Sequence, residues 1–146
     1  MAGEAKFAKL GALLADLQVT ASDRLLDAEA LFVSGRFATA IAMGVYSLEI
    51  HLKVRICQKL NLHALPKPFE IHDLEGLLVL CGLRAARDSA SAVVRKNWDD
   101  TANQASLINE MRYLPSSNWT QAQVQIFLQQ LRDPPDGVLP WLSTQP

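Results

Sequence analysis

The chain has 146 residues, of which 49% are hydrophobic and 20% charged, a composition typical of one globular domain with one core. Its net charge of −1 argues against the strongly basic character of many nucleic-acid-binding proteins. Charged residues interrupt the longest apolar stretch, so we predict no membrane contact and a cytoplasmic protein.

Helical periodicity dominates the sequence and predicts an all-α protein with a single domain over residues 1–146. Residues 1–19 are predicted to form an N-terminal helix or an arm. A first core helix is predicted to begin near Thr20 or Ser22 and to end at Ser34 and Gly35, since glycine readily adopts the left-handed conformation at a helix C-terminus. Its predicted core-facing residues are Leu25, Leu26, Ala28, Leu31 and Phe32.

The next helix, from about Arg36 to Leu60, is predicted to lie at the centre of the bundle because it is apolar on two sides. Glu49 and Lys53 lie one turn apart between these sides, so we expect the pair to be shielded from water. The first apolar arc comprises Phe37, Ile41, Val45, Leu48 and Leu52. The second apolar arc comprises Met43, Ile50 and Val54 with Cys57. The predicted solvated stripe comprises Ser47, His51 and Gln58.

Prolines, a glycine and candidate N-cap residues divide the rest of the chain into predicted segments. Prolines predict a loop over residues 61–69, after which Asp73 is predicted to cap a short helix that Gly82 ends. Residues 84–111 are predicted to be helical with an interruption at residues 97–100, where Asp100 or Thr101 would cap the following piece.

The C-terminal part is predicted to hold a turn at residues 115–118 and a last amphipathic helix that begins at Thr120. The tail, residues 133–146, is predicted to fold back onto the bundle. The inward residues are predicted to be Val124, Phe127, Leu128 and Leu131 in the helix, and Trp141 and Leu142 in the tail.

Most familiar catalytic and metal-binding motifs are absent from the sequence. His51, His63 and His72 lie in no metal-ligand spacing, and no glycine-rich phosphate loop is present. Cys57 and Cys81 have apolar neighbours and are predicted to be reduced core thiols. We therefore predict neither a metal site nor a cofactor.

Three segments in order, AEALFVSGRFATAIAMGVYSLEIHLKVRI, IHDLEGLLVLCGL and NEMRYLP, resemble HEPN domains (higher eukaryotes and prokaryotes nucleotide-binding) over roughly residues 20–132. The resemblance implies an antiparallel bundle of five to six helices, like the substrate-binding subunits of nucleotidyltransferases. It also implies a ligand-binding set drawn from three motifs, which comprises Tyr46, Glu49, Lys53, His72, Arg112 and Tyr113.

The sequence departs from the family in one respect. Many catalytic HEPN proteins are metal-independent ribonucleases with an Arg-x(4–6)-His motif, and no arginine here has a histidine at that distance downstream. The resemblance therefore implies a non-catalytic module that binds a nucleotide, RNA or a protein partner in a prokaryotic defence or toxin–antitoxin system. A small nucleotidyltransferase is the partner that the family suggests.

Two other functions stay open from the sequence. One is a divergent metal-independent ribonuclease that uses His72 with Arg112 or Lys53. The other is a structural assembly subunit. Glu49 and Arg112 could equally form a buried pair that only stabilises the bundle. The second apolar arc predicts a homodimer, or a monomer if Phe7, Leu10, Leu13 and Leu14 cover it.

Overall fold

The computed structural model describes residues 13–146, which form eight α-helices joined by short turns and two 3₁₀ turns. The predicted all-α class is confirmed, whereas the number of helices exceeds the predicted five to six. No helix in residues 13–146 is long and apolar enough to cross a bilayer. The helices are α1 Leu14–Val33, α2 Phe37–Lys59, α3 Leu74–Leu80, α4 Arg84–Asp88, α5 Ala92–Ser106, α6 Ile108–Met111, α7 Gln121–Arg132 and α8 Val138–Ser143.

Helices α1 and α2 form a hairpin, which is the most extensive helix–helix contact in the described part of the chain. Gly35 adopts φ +74° between them, and the amides of Gly35 and Arg36 donate to the carbonyls of Phe32 and Leu31. This pattern is a Schellman motif, as the glycine predicted. Helix α1 begins earlier than predicted, at Leu14, and Leu26 is exposed rather than inward.

Helix α2 lies at the centre of the bundle, as predicted, and α1 and α7 pack against it. The assignment of Ser47 to a solvated stripe is wrong. Ser47 is fully buried, and its hydroxyl donates to the carbonyl of Ala21 in α1 at 2.8 Å. Small side chains allow the two backbones to approach at this point. On the α7 side, Gly44 leaves space that the ring of Phe127 fills.

The second apolar arc of α2 is partly covered within residues 13–146, with Met43 and Ile50 half-buried. Val54 and Cys57 are buried in a small cluster with Leu17 of α1 and Leu65 of the following loop. The observation that suggested a homodimer therefore has a local explanation, as in the predicted alternative of a monomer. Leu14 also contacts this cluster, while Phe7 and Leu10 lie outside the described residues.

Helices α3, α4 and α5 are tied together through one carboxylate oxygen. Asp73 caps α3 by accepting from the amide of Gly76, as predicted. Glu75 Oε1 then accepts from Arg87 Nη1 of α4 and from Trp98 Nε1 of α5, each at 2.7 Å. The hydrogen bond from Arg87 is the largest cause of the lowered pKa of Glu75. This cluster fixes where α3 begins.

The predicted interruption at residues 97–100 is wrong, because α5 runs through it without a break. Its polar residues have tertiary partners instead of capping roles: Asn97 Nδ2 donates to the carbonyl of Asp136 at 2.9 Å. The breaks fall at residues 89–91 and at Leu107, and they divide the predicted segment into α4, α5 and α6.

The C-terminal part agrees with its prediction. Thr120 and Gln123 form a capping box at the start of α7, and the four predicted residues of that helix are buried. The tail forms α8, whose Trp141 and Leu142 pack into the core.

Candidate functional site

Glu49 lies on α2 with only 7% of its surface exposed, and two nitrogen atoms flank its carboxylate. Lys53 Nζ, one turn further along α2, lies 3.7 Å from Glu49 Oε1. His72 Nδ1 lies 2.6 Å from the same oxygen. Lys53 is also 7% exposed, so the predicted shielding of the pair is confirmed. An ionised carboxylate placed in this way orients one cation and one imidazole.

The contact with Glu49 determines which nitrogen of His72 stays available. An ionised carboxylate can only accept, so Nδ1 carries the hydrogen and donates it to Glu49. Nε2 is then free to accept a hydrogen bond, or to donate one when the ring is protonated. The His72 side chain is 84% exposed, so this nitrogen can meet a ligand. Its position follows from the start of α3, because His72 directly precedes the N-cap Asp73.

Glu49 and His72 line a cleft of about 370 Å³, which we call the Glu49 cleft. Tyr46 of α2 and Arg112, which ends α6, line the same cleft. The structure thus brings together four of the six residues that the sequence predicted. The remaining lining residues are Val45, Ala105, Ser106, Ile108 and Asn109.

Arg112 does not pair with Glu49, so the predicted buried pair between them is wrong. Its Nη2 instead donates to Asn109 Oδ1 over a long 3.4 Å. Its guanidinium carbon lies 6.0 Å from the centre of the Tyr113 ring. Arg112 is itself exposed, because α6 is a single short turn that holds it at the rim of the cleft. Most of its five N–H donors can therefore reach a ligand.

The two other predicted residues lie outside the cleft lining. Lys53 lies behind Glu49 and acts on the cleft through that carboxylate. Tyr113 is 82% exposed and contacts Arg112 rather than the cleft. Ser106 and Asn109, which the sequence did not single out, add a hydroxyl and an amide to the lining. Asn109 could have been found from its position three residues before Arg112 on one helical face.

The charges of the site favour an anion. Lys53 offsets the negative charge of Glu49 at 3.7 Å. Arg112 then leaves the group with a net charge of about +1 when His72 is neutral, and protonation of His72 would add one more. No cluster of three or more side chains suited to metal binding occurs in residues 13–146. Comparisons of the chain with family models, curated proteins and solved structures find no match.

Proposed function

We propose that the protein is a non-catalytic binding module whose Glu49 cleft takes the phosphate of a nucleotide or of RNA. One observation carries the proposal: Arg112, whose one hydrogen bond within residues 13–146 is the long one to Asn109, shares a cleft with the oriented imidazole of His72. A guanidinium presents a planar fork that matches a phosphate, and such charge-assisted bonds are among the strongest in proteins.

The other side chains fit secondary roles in the same binding mode. Tyr46 offers a phenol to the ligand at the wall of the cleft. His72 offers Nε2, which donates to a phosphate oxygen once the ring is protonated. Glu49 and Lys53 hold His72 in place rather than touching the ligand. A HEPN-like module that acts in a prokaryotic defence or toxin–antitoxin system is the biological setting that we propose on the resemblance alone.

The test is the affinity of the purified protein for a fluorescent ADP analogue and for a labelled RNA octamer. Arg112→Ala removes a charge-assisted contact of about 1.5–3 kcal/mol, which corresponds to roughly a tenfold or greater loss of affinity. The thermal midpoint should change little, because Arg112 is exposed and makes only a long hydrogen bond to Asn109 and a contact with the exposed Tyr113 ring. Arg84→Ala is the matched control, since Arg84 is an exposed arginine outside the cleft.

Two results would contradict the proposal. The first is unchanged affinity of Arg112→Ala for both probes. The second is the absence of binding by the unmodified protein at millimolar probe. A large loss of stability with normal binding would instead assign Arg112 to the fold.

A divergent metal-independent ribonuclease is the second candidate, and the hydrogen bond between His72 and Glu49 favours it. A carboxylate that orients an imidazole leaves Nε2 as a general base, and Arg112 would then stabilise charge on the phosphate. Labelled RNA incubated with protein and a chelator tests this function. Cleavage lost in His72→Ala supports the enzyme, and intact RNA at high protein concentration excludes it.

A further inference from the structure

A second cleft, of about 340 Å³, lies between α5 and α7 and shares no lining residue with the Glu49 cleft. Its lining is rich in side-chain amides. We call it the amide cleft and define it by Asp100, Gln104, Trp119, Gln123 and Gln130. None of these residues takes part in the function proposed above.

Three polar groups of the amide cleft are already held in place by hydrogen bonds. The backbone amide of Thr120 donates to Gln123 Oε1 at 2.9 Å, as part of the capping box of α7. Gln130 Nε2 donates to Asp100 Oδ2 at 2.6 Å. Lys96 Nζ pairs with the same carboxylate oxygen. These partners identify the oxygen and the nitrogen of the Gln123 and Gln130 amides, because a backbone N–H needs an acceptor and a carboxylate needs a donor.

Each held group keeps one end free among the described residues. Gln123 has its NH₂ donors, Gln130 has Oε1 as an acceptor, and Asp100 has Oδ1 as an acceptor. Gln104 adds an amide whose Oε1 is buried without a hydrogen-bond partner among those residues, so no contact there fixes this amide. The cleft therefore presents a preorganised donor and, about two helical turns further along α7, preorganised acceptors, which lowers the entropic cost of binding a polar ligand.

The charges of the amide cleft exclude the ligand class proposed for the Glu49 cleft. Neither lysine nor arginine lines it within residues 13–146, and the one lining charge is that of Asp100. The hydrogen bond from Lys96, followed by that from Gln130, lowers the pKa of Asp100, so this carboxylate is ionised near neutral pH. Lys96 offsets this charge from outside the lining, so the cleft presents no net positive charge that would attract a phosphate or a carboxylate. The cleft thus fits an uncharged ligand.

We propose that the amide cleft binds a neutral sugar. Separate hydroxyl groups of one sugar can donate to Asp100 Oδ1 or Gln130 Oε1 and accept from the NH₂ group of Gln123, because every hydroxyl both donates and accepts. The apolar C–H face of a pyranose suits the indole of Trp119, which lines the cleft and is partly exposed. The volume of about 340 Å³ lies in the range of small-molecule sites.

The test is a titration of ¹⁵N-labelled protein, read from the side-chain amide resonances of Gln123 and Gln130 and from the indole resonance of Trp119. The probes are glucose, galactose, mannose, N-acetylglucosamine and cellobiose, each to about 20 mM, which exceeds a millimolar dissociation constant. We expect saturable shifts of all three residues with at least one sugar. Asp100→Asn should weaken that binding about tenfold.

Asp99→Asn is the matched control, because Asp99 is the exposed neighbour of Asp100 on α5 and lies outside the cleft. It should leave the affinity unchanged. Trp119→Ala, with its fold checked by circular dichroism, should also abolish saturation. The proposal is overturned if no sugar gives saturable shifts, if Asp100→Asn binds as tightly as Asp99→Asn, or if uracil and cytosine shift the same resonances more strongly than every sugar.

Discussion

Replacement of Lys53 by methionine is expected to destabilise the protein by about 3 kcal/mol, the lower end of the effect of breaking a buried ion pair. Both partners are 7% exposed, and Nζ lies 3.7 Å from Glu49 Oε1. At that distance and an effective dielectric constant of about 20, the attraction is roughly 4 kcal/mol. Methionine keeps the length of the lysine side chain but leaves the carboxylate without its cation. The hydrogen bond from His72 persists and limits the loss.

A double-mutant cycle separates the lost attraction from changes in packing. In Glu49→Gln with Lys53→Met, both charges are gone, so no unpaired charge stays buried. The double variant should be more stable than the sum of the two single losses predicts, by about 2 kcal/mol. Urea unfolding gives each free energy by linear extrapolation.

Lys96→Met is the matched control for this cycle. Lys96 also pairs with a carboxylate one helical turn away, that of Asp100, but its side chain is 69% exposed. Exposed pairs of this kind contribute about 0.5 kcal/mol. If Lys53→Met were no more costly than Lys96→Met, the reasoning that the Glu49 pair is desolvated would be refuted.

Three further predictions concern single positions. Cys57 and Cys81 should not react with Ellman's reagent at pH 8 until urea is added, because both are buried and burial raises the pKa of Cys81 to about 11; rapid reaction of either thiol in the native protein would contradict this. Burial also lowers the pKa of His51, against a weaker opposing effect of the hydrogen bond to a backbone carbonyl, so the folded state binds fewer protons than the unfolded state. The free energy of unfolding should therefore fall as the pH drops below about 6.5, and His51→Gln should reduce that fall in urea titrations. Gly44→Ala should lower stability by about 1 kcal/mol, since a Cβ would lie 2.7 Å from the ring of Phe127 and the overpacking outweighs the gain in helix propensity; a higher thermal midpoint would show that the ring moves aside.

The elements that the sequence predicted well are those with local causes. Gly35 ends α1, Asp73 begins α3 and Thr120 begins α7, and in each case the deciding hydrogen bond joins residues at most five positions apart. The apolar pattern of α2 likewise predicted a central helix, because a helix with apolar residues on two sides must bury both of them.

The errors occurred where a polar residue finds its partner far along the chain. Ser47 was predicted to be solvated, but it bonds to Ala21, which is 26 positions away. Asn97 was predicted to lie in an interruption, but it bonds to the backbone of Asp136, 39 positions away. Polarity alone predicts exposure or a helix end, and only the packed structure supplies the distant acceptor that makes burial favourable.

The candidate site divides in the same way. The couple of Glu49 and Lys53 follows from helical spacing, and its shielding follows from the apolar arcs around it. The orientation of Arg112 does not follow from the spacing of residues, because it depends on how the single turn of α6 packs against the bundle. The resemblance therefore named four of the residues that line the cleft but could not predict that Arg112 would stay unpaired with Glu49.

The hydrogen bonds of Glu75 also affect the Glu49 cleft, although Glu75 does not line it. Helices of seven and five residues, such as α3 and α4, do not persist alone in water, so they depend on the buried Leu77 and Leu78 and on the hydrogen bond of Glu75 with Trp98. If these contacts open together, residues 72–88 lose their support and His72 is expected to leave Glu49. The position of the imidazole in the Glu49 cleft is then coupled to the local folding of this segment, which depends in part on a hydrogen bond outside that cleft.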